Sequence, residues 1–337
     1  MKARPTGPIV TATVFILALG TLTPLTPRGS AHRRTHAAAG QTAGVYEWRP
    51  FSALTNPAYM HQLAQLRARG FDHLYLSLMD YPGLTSGAPA NVVQAYSKRL
   101  TAFLQNVRSE GFAVSALGGD PSWVSAGGRR MNLALLRYVI DYDNSSAHPV
   151  KLDGIQFDDE PWALPGFMAS YASAATQYLD TVADVLAYPG LEQAPNGFSV
   201  GFTAPFSFTP TDASIPRVTY DGTSDYAAYH ALQLLNSRPG SYLSFLDYRN
   251  FTSGSNGSIA HARGLLAYAK AHAPDAGVVI GQETTNVQPA EITFFGLGFP
   301  ALDGAMGAIR KAYTGNPAFR GFAVNDAAGL TALVDGG

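Results

Sequence analysis

Cysteine is absent from this 337-residue chain. Disulfides, thiolate metal sites and cysteine nucleophiles are therefore excluded. Charge is scarce as well: 14% of residues are Asp, Glu, Lys or Arg, and the net charge is -1. A nucleic acid or an anionic membrane surface needs a basic field, and none is present. The eight histidines form no His-Glu-X-X-His and, outside the first forty residues, no paired ligand spacing. No loop carries the calcium pattern, so neither a metal nor a cofactor is expected. The lone histidines of the helical segments, His61, His230, His261 and His272, are expected at the surface.

Long apolar runs are limited to one. Ile9 to Leu22 carries no charge, follows Lys2 and Arg4, and precedes Gly29-Ser30-Ala31, a small-residue cleavage site. The run is short for a membrane span. Residues 1–31 are expected to be a secretory signal peptide and 32–42 a flexible leader, leaving 43–335 as one secreted domain with no membrane partner after cleavage. Asn144, Asn250 and Asn256 head glycosylation sequons. Nothing in the sequence fixes the oligomeric state.

The chain is 46% hydrophobic, and its apolar residues are organised. Short runs at Gly44–Trp48, His73–Met79, Ala113–Leu117, Gly154–Phe157, Phe198–Phe202, Tyr242–Leu246, Gly277–Gly281 and Gly321–Val324 read as strands. Between them lie helical stripes, such as Val93, Tyr96, Leu100, Phe103, Leu104 and Val107. Further helices are expected at Leu133–Ile140, Met168–Leu186, Ser224–Leu235, Ile259–His272 and Leu302–Tyr313. Eight strands alternating with helices predict an α/β fold, a (β/α)8 TIM barrel. No Gly-X-Gly-X-X-Gly turn follows the first strand, which counts against a doubly wound open sheet. Gly197-Phe198-Ser199-Val200-Gly201 has the spacing of an esterase elbow. It falls within a predicted strand, however, whereas that motif needs a strand before it and a helix after.

Barrel active sites lie at the C-terminal ends of the strands. Those ends carry Glu47-Trp48, Asp80-Tyr81, Asp120 with Trp123, Asp158 with Glu160 and Trp162, Asp247-Tyr248, Glu283, and Asn325-Asp326. The chain has six Glu and three Trp; three of the Glu (Glu47, Glu160, Glu283) and all the Trp fall at these ends. Surface charge would instead be scattered over the outer helices. Carboxylates interleaved with flat aromatics suit a carbohydrate: the acids supply protons and nucleophile, and the rings stack on sugars. Some of these residues have simpler uses. Asp120 and Asp326 stand where helices begin and could cap them, and Glu47 could pair with Arg49.

The segment Asp153-Gly154-Ile155-Gln156-Phe157-Asp158-Asp159-Glu160 resembles the strand-four signature of chitinase-type (family 18) glycoside hydrolases. Gln156 stands where that family has Asp or Asn. Ala116-Leu117-Gly118-Gly119 resembles its strand-three element, with Ala for Ser, and Ser244-Phe245-Leu246-Asp247 keeps only the Asp of its strand-six element. The resemblance implies Glu160 as general acid and Asp158 as the residue orienting a substrate N-acetyl group that acts as nucleophile. A second resemblance is to clan A retaining glycosidases, which place an acid/base Glu after strand four and a nucleophilic Glu after strand seven. Glu160-Pro161-Trp162 and Gln282-Glu283-Thr284 look like those two ends, with Asp159 where clan A has Asn. The whole chain is also similar to a group of secreted bacterial barrel proteins described as glycosyl-hydrolase-like.

The expectation is a secreted glycosidase acting on a polysaccharide or oligosaccharide, retaining, with Glu160, Glu283 and Asp158 catalytic. Glu47, Trp48, Asp80, Tyr81, Asp120, Trp123, Trp162, Asp247, Tyr248 and Asn325 are expected to contact the carbohydrate. The alternatives are a barrel that binds glycans without cleaving them and a family-18-like hydrolase of N-acetylated sugars.

Overall fold

The computed structural model describes residues 41–84, 87–212 and 214–336. The expected signal segment, and all of the leader but its last two residues, lie outside them. Eight parallel strands close into a barrel: β1 Thr42–Glu47, β2 His73–Ser77, β3 Ala113–Gly118, β4 Gly154–Phe157, β5 Ser199–Pro205, β6 Tyr242–Leu246, β7 Gly277–Glu283 and β8 Phe319–Asn325. Each strand pairs with its sequence neighbours, and β8 returns to β1 with Val324 opposite Val45. Helices α1 Pro57–Ala68, α2 Ala90–Ser109, α3 Arg129–Asn144, α4 Tyr171–Leu186, α5 Ala227–Leu235, α6 Ser258–His272, α7 Phe299–Ala312 and α8 Ala327–Asp335 follow the strands in turn. The expected (β/α)8 barrel is thus present.

Alternation along the strands builds two cores. On β4, Ile155 and Phe157 point outward into the layer between barrel and helices, where both are fully buried; each such side chain contributes roughly 1.5–3 kcal/mol. The stripe Tyr96, Leu100, Phe103, Leu104 and Val107 of α2 faces the same layer. Tyr46, Tyr75, Leu117, Tyr242, Val279 and Ala323 fill the barrel interior, with Trp48 above them. Large interior rings need small partners. A Cβ at Gly44 would stand 2.4 Å from the Tyr75 ring, and one at Gly201 would stand 2.4 Å from the Tyr242 ring.

Two helices and a hairpin were not legible in the apolar pattern. Helix α1 has little amphipathic contrast, and its start is set locally: Pro57 opens the first turn and Asn56 Oδ1 accepts from Tyr59 N at 2.9 Å. Asp326 likewise caps α8, accepting from Gly329 N at 2.8 Å. The stretch between β5 and α5 contains an antiparallel hairpin of Val218–Tyr220 and Thr223–Asp225. Its turn residues Asp221 and Gly222 both have positive φ, the Asp-Gly combination such tight turns favour.

Candidate active site

Strand register brings the carboxylates together at the C-terminal mouth. Glu283, the last residue of β7, pairs with Asn325, the last of β8. Consequently Asn325 Nδ2 reaches Glu283 Oε2 at 2.7 Å. The Asn325 amide is fixed from the other side by Trp48 Nε1, which donates to its Oδ1 at 2.9 Å. Glu283 Oε1 accepts from Thr284 N at 2.8 Å, Thr285 N at 2.6 Å and Thr285 Oγ1 at 2.7 Å. Four donors thus hold one buried carboxylate in a single orientation. Burial raises its pKa, and the bonds from Asn325, Thr285 and Thr284 oppose that rise by favouring the charged form.

Glu160 has a different environment. It leaves β4 on the side of Asp158, half-buried. Burial first, then the charges of Asp158 and Glu283, push its carboxyl up to about 8, against the Trp162 indole, whose N–H favours the anion. Asp158 is itself raised to about 6 by burial, and its Oδ1 is buried without a partner. The close approach of β3 to this corner requires glycine. Gly119 has φ +155, and a Cβ there would stand 2.4 Å from the Asp158 carbonyl carbon. Gly119 thus lets the chain leaving β3 pass against the backbone that carries the acids.

Tyr248 completes the group. Its hydroxyl keeps its proton because of burial and then the charges of Glu283, Glu160 and Asp158. Its φ of 35 is a left-handed conformation that costs a non-glycine residue roughly 1–3 kcal/mol. The neighbours hold it there: Arg249 Nη1 donates to Tyr248 O at 2.9 Å, and Asp247 Oδ1 pairs with His261 Nδ1 at 2.8 Å. His261 is buried, as is His230, which bonds Val218 O; the expectation of surface histidines holds only for His61 and His272, which are exposed. Interior Tyr46 is a further member of the site. Asp158 and Glu160 both raise its pKa, and its hydroxyl meets Ser244 Oγ at 2.8 Å. The sequence held a signal for it, since Tyr46 shares the inward face with Trp48.

Most of the other expected contact residues have structural partners of their own. Trp123 is buried in the layer between barrel and helices, not at the mouth. Tyr81 stacks on Tyr138 of α3, ring centroids 3.9 Å apart, and so belongs to the outer helix layer. Asp80 accepts from Tyr96 Oη of α2 at 2.8 Å. Asp120 caps the short helix that follows it, accepting from Ser122 N at 2.8 Å. The Glu47 carboxylate is taken up by Arg49, whose Nε and Nη2 lie 2.8 and 2.7 Å away. Trp162 is half-buried, packed edge-on against Phe208. Among the described residues, no group of three or more His, Asp and Glu side chains converges as a metal site requires.

Asp159 points away from Asp158 and is fully buried. Its Oδ2 accepts from Asn132 Nδ2 at 2.6 Å, yet burial still pushes it up to about 8. The sign of the linkage follows. A carboxyl raised from an unfolded value of about 4 stabilises fully below that pH, and the contribution is lost as pH rises toward 8. Asp159→Asn is expected to flatten the fall in stability between those limits by one proton, about 1.4 kcal/mol per pH unit. Denaturant melts at several pH values read this directly; parallel wild-type and variant curves would contradict it.

No family model matches the chain, and no curated protein matches it. Solved structures do. The β-mannanase of the blue mussel Mytilus edulis is 11% identical, covers 87% of this chain and 90% of its own, and superposes with a TM-score of 0.52. A β-glucosidase designated 1317 is 13% identical, with 79% and 76% covered and a TM-score of 0.49. A GH18 chitinase from Pseudoalteromonas aurantia is 13% identical, with 86% and 95% covered and a TM-score of 0.47. These neighbours are TIM-barrel glycoside hydrolases. At such identities the likeness is one of fold.

Proposed function

We propose that the chain is a secreted glycoside hydrolase that cleaves a polysaccharide or oligosaccharide with retention, using Glu160 as acid/base and Glu283 as nucleophile. The observation that carries this reading is the unequal treatment of two carboxylates in one mouth, both raised by burial but only one surrounded by donors that offset the rise. Glu283 is dressed by four donors that favour its anion, whereas Glu160 is pushed up to about 8 and holds its proton at neutral pH. Environments that drive two acids apart assign the acid and the base. Glu160 gives its proton to the glycosidic oxygen while Glu283 attacks the anomeric carbon, releasing the aglycone alcohol. Water then attacks the glycosyl ester, losing its proton to Glu160 and freeing Glu283. Tyr248, which keeps its proton, donates among the charges that form.

The test is a carbohydrate panel scored for reducing-end release, followed by a pH–rate profile on whichever substrate is cleaved. Activity needs the proton on the Asp158–Glu160 pair, so kcat/KM is expected to fall above a pKa near the value of about 8 that Glu160 carries. Rates still rising beyond pH 9.5, or binding without release across the panel, would overturn the reading.

A second reading is favoured by Asp158, whose Oδ1 is buried without a partner. It could orient an N-acetyl group that replaces Glu283 as nucleophile. Cleavage confined to N-acetylated sugars, and insensitive to Glu283→Gln, would select that route.

A further inference from the structure

Seven large apolar side chains are exposed among the described residues, and they are not spread over the surface. Met79, Leu164, Met168, Phe206, Phe295 and Leu297 lie on loops that follow barrel strands, and Val92 is on the first turn of α2, at the same end of the barrel. Met168, Phe295 and Leu297 are 67%, 50% and 51% exposed. The loops after β4, β5, β6 and β7 are joined to one another. Trp162 and Phe167 of the first pack on Phe208 of the second, at 5.4 and 6.1 Å between ring centroids. Phe206 of the second lies under Arg249 of the third, 5.1 Å from its guanidinium carbon. Asn250 Nδ2 of the third donates to Ala290 O and Thr293 O of the fourth, both at 2.8 Å. Leu164, Met168, Phe206, Phe295 and Leu297 are therefore distributed along one continuous rim.

That rim rises from the loops that carry Glu160 and Glu283. Exposed apolar side chains gathered at one place mark binding surfaces, and these stand on the loops that follow the strands leading to Glu160 and Glu283. Its chemistry is specific. Sugar rings favour flat indole or phenol faces, but the three tryptophans are engaged below the rim or in the core. Three of the five rim residues are aliphatic or thioether, which suit hydrocarbon. Leu164 and Met168 lie four and eight residues beyond Glu160, the proton donor to the leaving group, and Phe295 and Leu297 continue the rim from the loop after Glu283, so an apolar aglycone leaving past Glu160 meets this rim.

We propose, resting on the glycosidase reading above, that the substrate is a glycoside whose aglycone is a hydrocarbon chain, seated on the rim formed by Leu164, Met168, Phe206, Phe295 and Leu297. The probes are methyl, hexyl, octyl and dodecyl glucosides below their micellar concentrations, titrated calorimetrically against the full protein, with alkyl glycosides of any sugar the panel shows to be cleaved. Affinity is expected to rise by up to roughly fourfold per methylene buried while the chain lies on the rim. The double variant Phe295→Ser/Leu297→Ser changes exposed side chains outside the catalytic group. It should abolish most of the chain-length gain while leaving kcat on a soluble chromogenic glycoside unchanged. Equal binding of methyl and octyl glucosides, or an undiminished gain in the double variant, would overturn the proposal. Hydrolysis of short glycosides with no chain-length gain leaves the glycosidase reading standing and removes this one. A chain-length gain with no hydrolysis of any sugar would remove both the glycosidase reading and the substrate assignment, leaving only a rim that binds hydrocarbon.

Discussion

Glu283→Ala is expected to cut kcat by about four orders of magnitude or more, at least about 5.5 kcal/mol of transition-state stabilisation. The size follows from what the residue does. In the proposed mechanism its carboxylate forms the bond that replaces the glycosidic bond, and four donors are built around this one side chain. The loss should be specific in kind as well as in size. Removing the side chain leaves a cavity beside the anomeric carbon, into which azide can enter. Activity on an activated aryl glycoside should return with added azide, giving a glycosyl azide of configuration opposite to the substrate. Circular dichroism should be unchanged, since Glu283 ends a strand and its loss leaves the β7–β8 backbone ladder intact. Full activity in the alanine variant would remove Glu283 from the mechanism.

Glu160→Gln is expected to slow glycosides with poor leaving groups by roughly 10²- to 10⁴-fold, the usual worth of a positioned general acid. Dinitrophenyl glycosides, whose leaving group needs no proton, should lose far less in the first step. The alkaline limb of the profile should disappear as well, because the group pushed up to about 8 is gone. Sugar binding should survive, since an amide preserves the shape. A uniform loss across all leaving groups would instead give Glu160 a role in binding or folding.

The barrel was legible because its signal is redundant. Eight apolar runs of strand length, each followed by a helical stripe, leave few other architectures, and β4 and β6 begin and end where the runs do. The strand ends were underestimated where polar residues continue the ladder. β7 extends to Glu283 and β8 to Asn325, and this extension sets the two side chains opposite each other. Helix α1 was hidden because its boundary depends on Asn56 and Pro57 and not on an apolar face.

Carboxylate positions at the mouth were legible from strand ends, but side-chain direction was not. Strand-end position alone could not separate Glu283, locked toward Asn325, from Glu47, folded back on Arg49. Nor could it tell that Trp123 would turn into the helix layer while Trp48 reached Asn325. The missed partners Thr284, Thr285, Tyr46 and His261 are ordinary residues made special by register and loop contacts. Thr285 matters because the chain turns back over the carboxylate two residues earlier in sequence. His261 sits on a helix, and only the packing of α6 against the β6 end reveals Asp247 as its partner.

The central claim is that two glutamates from opposite sides of the barrel share one displacement, with Glu283 bonded to the sugar midway. A 2-fluoro glycoside with a dinitrophenyl leaving group, built on the sugar the panel identifies, slows the second step enough to hold that species. Intact mass should rise by one fluoroglycosyl unit, and peptide mapping should place it on Glu283. An enzyme that cleaves this sugar yet gains no mass, and releases its first product with inverted configuration, would contradict the account.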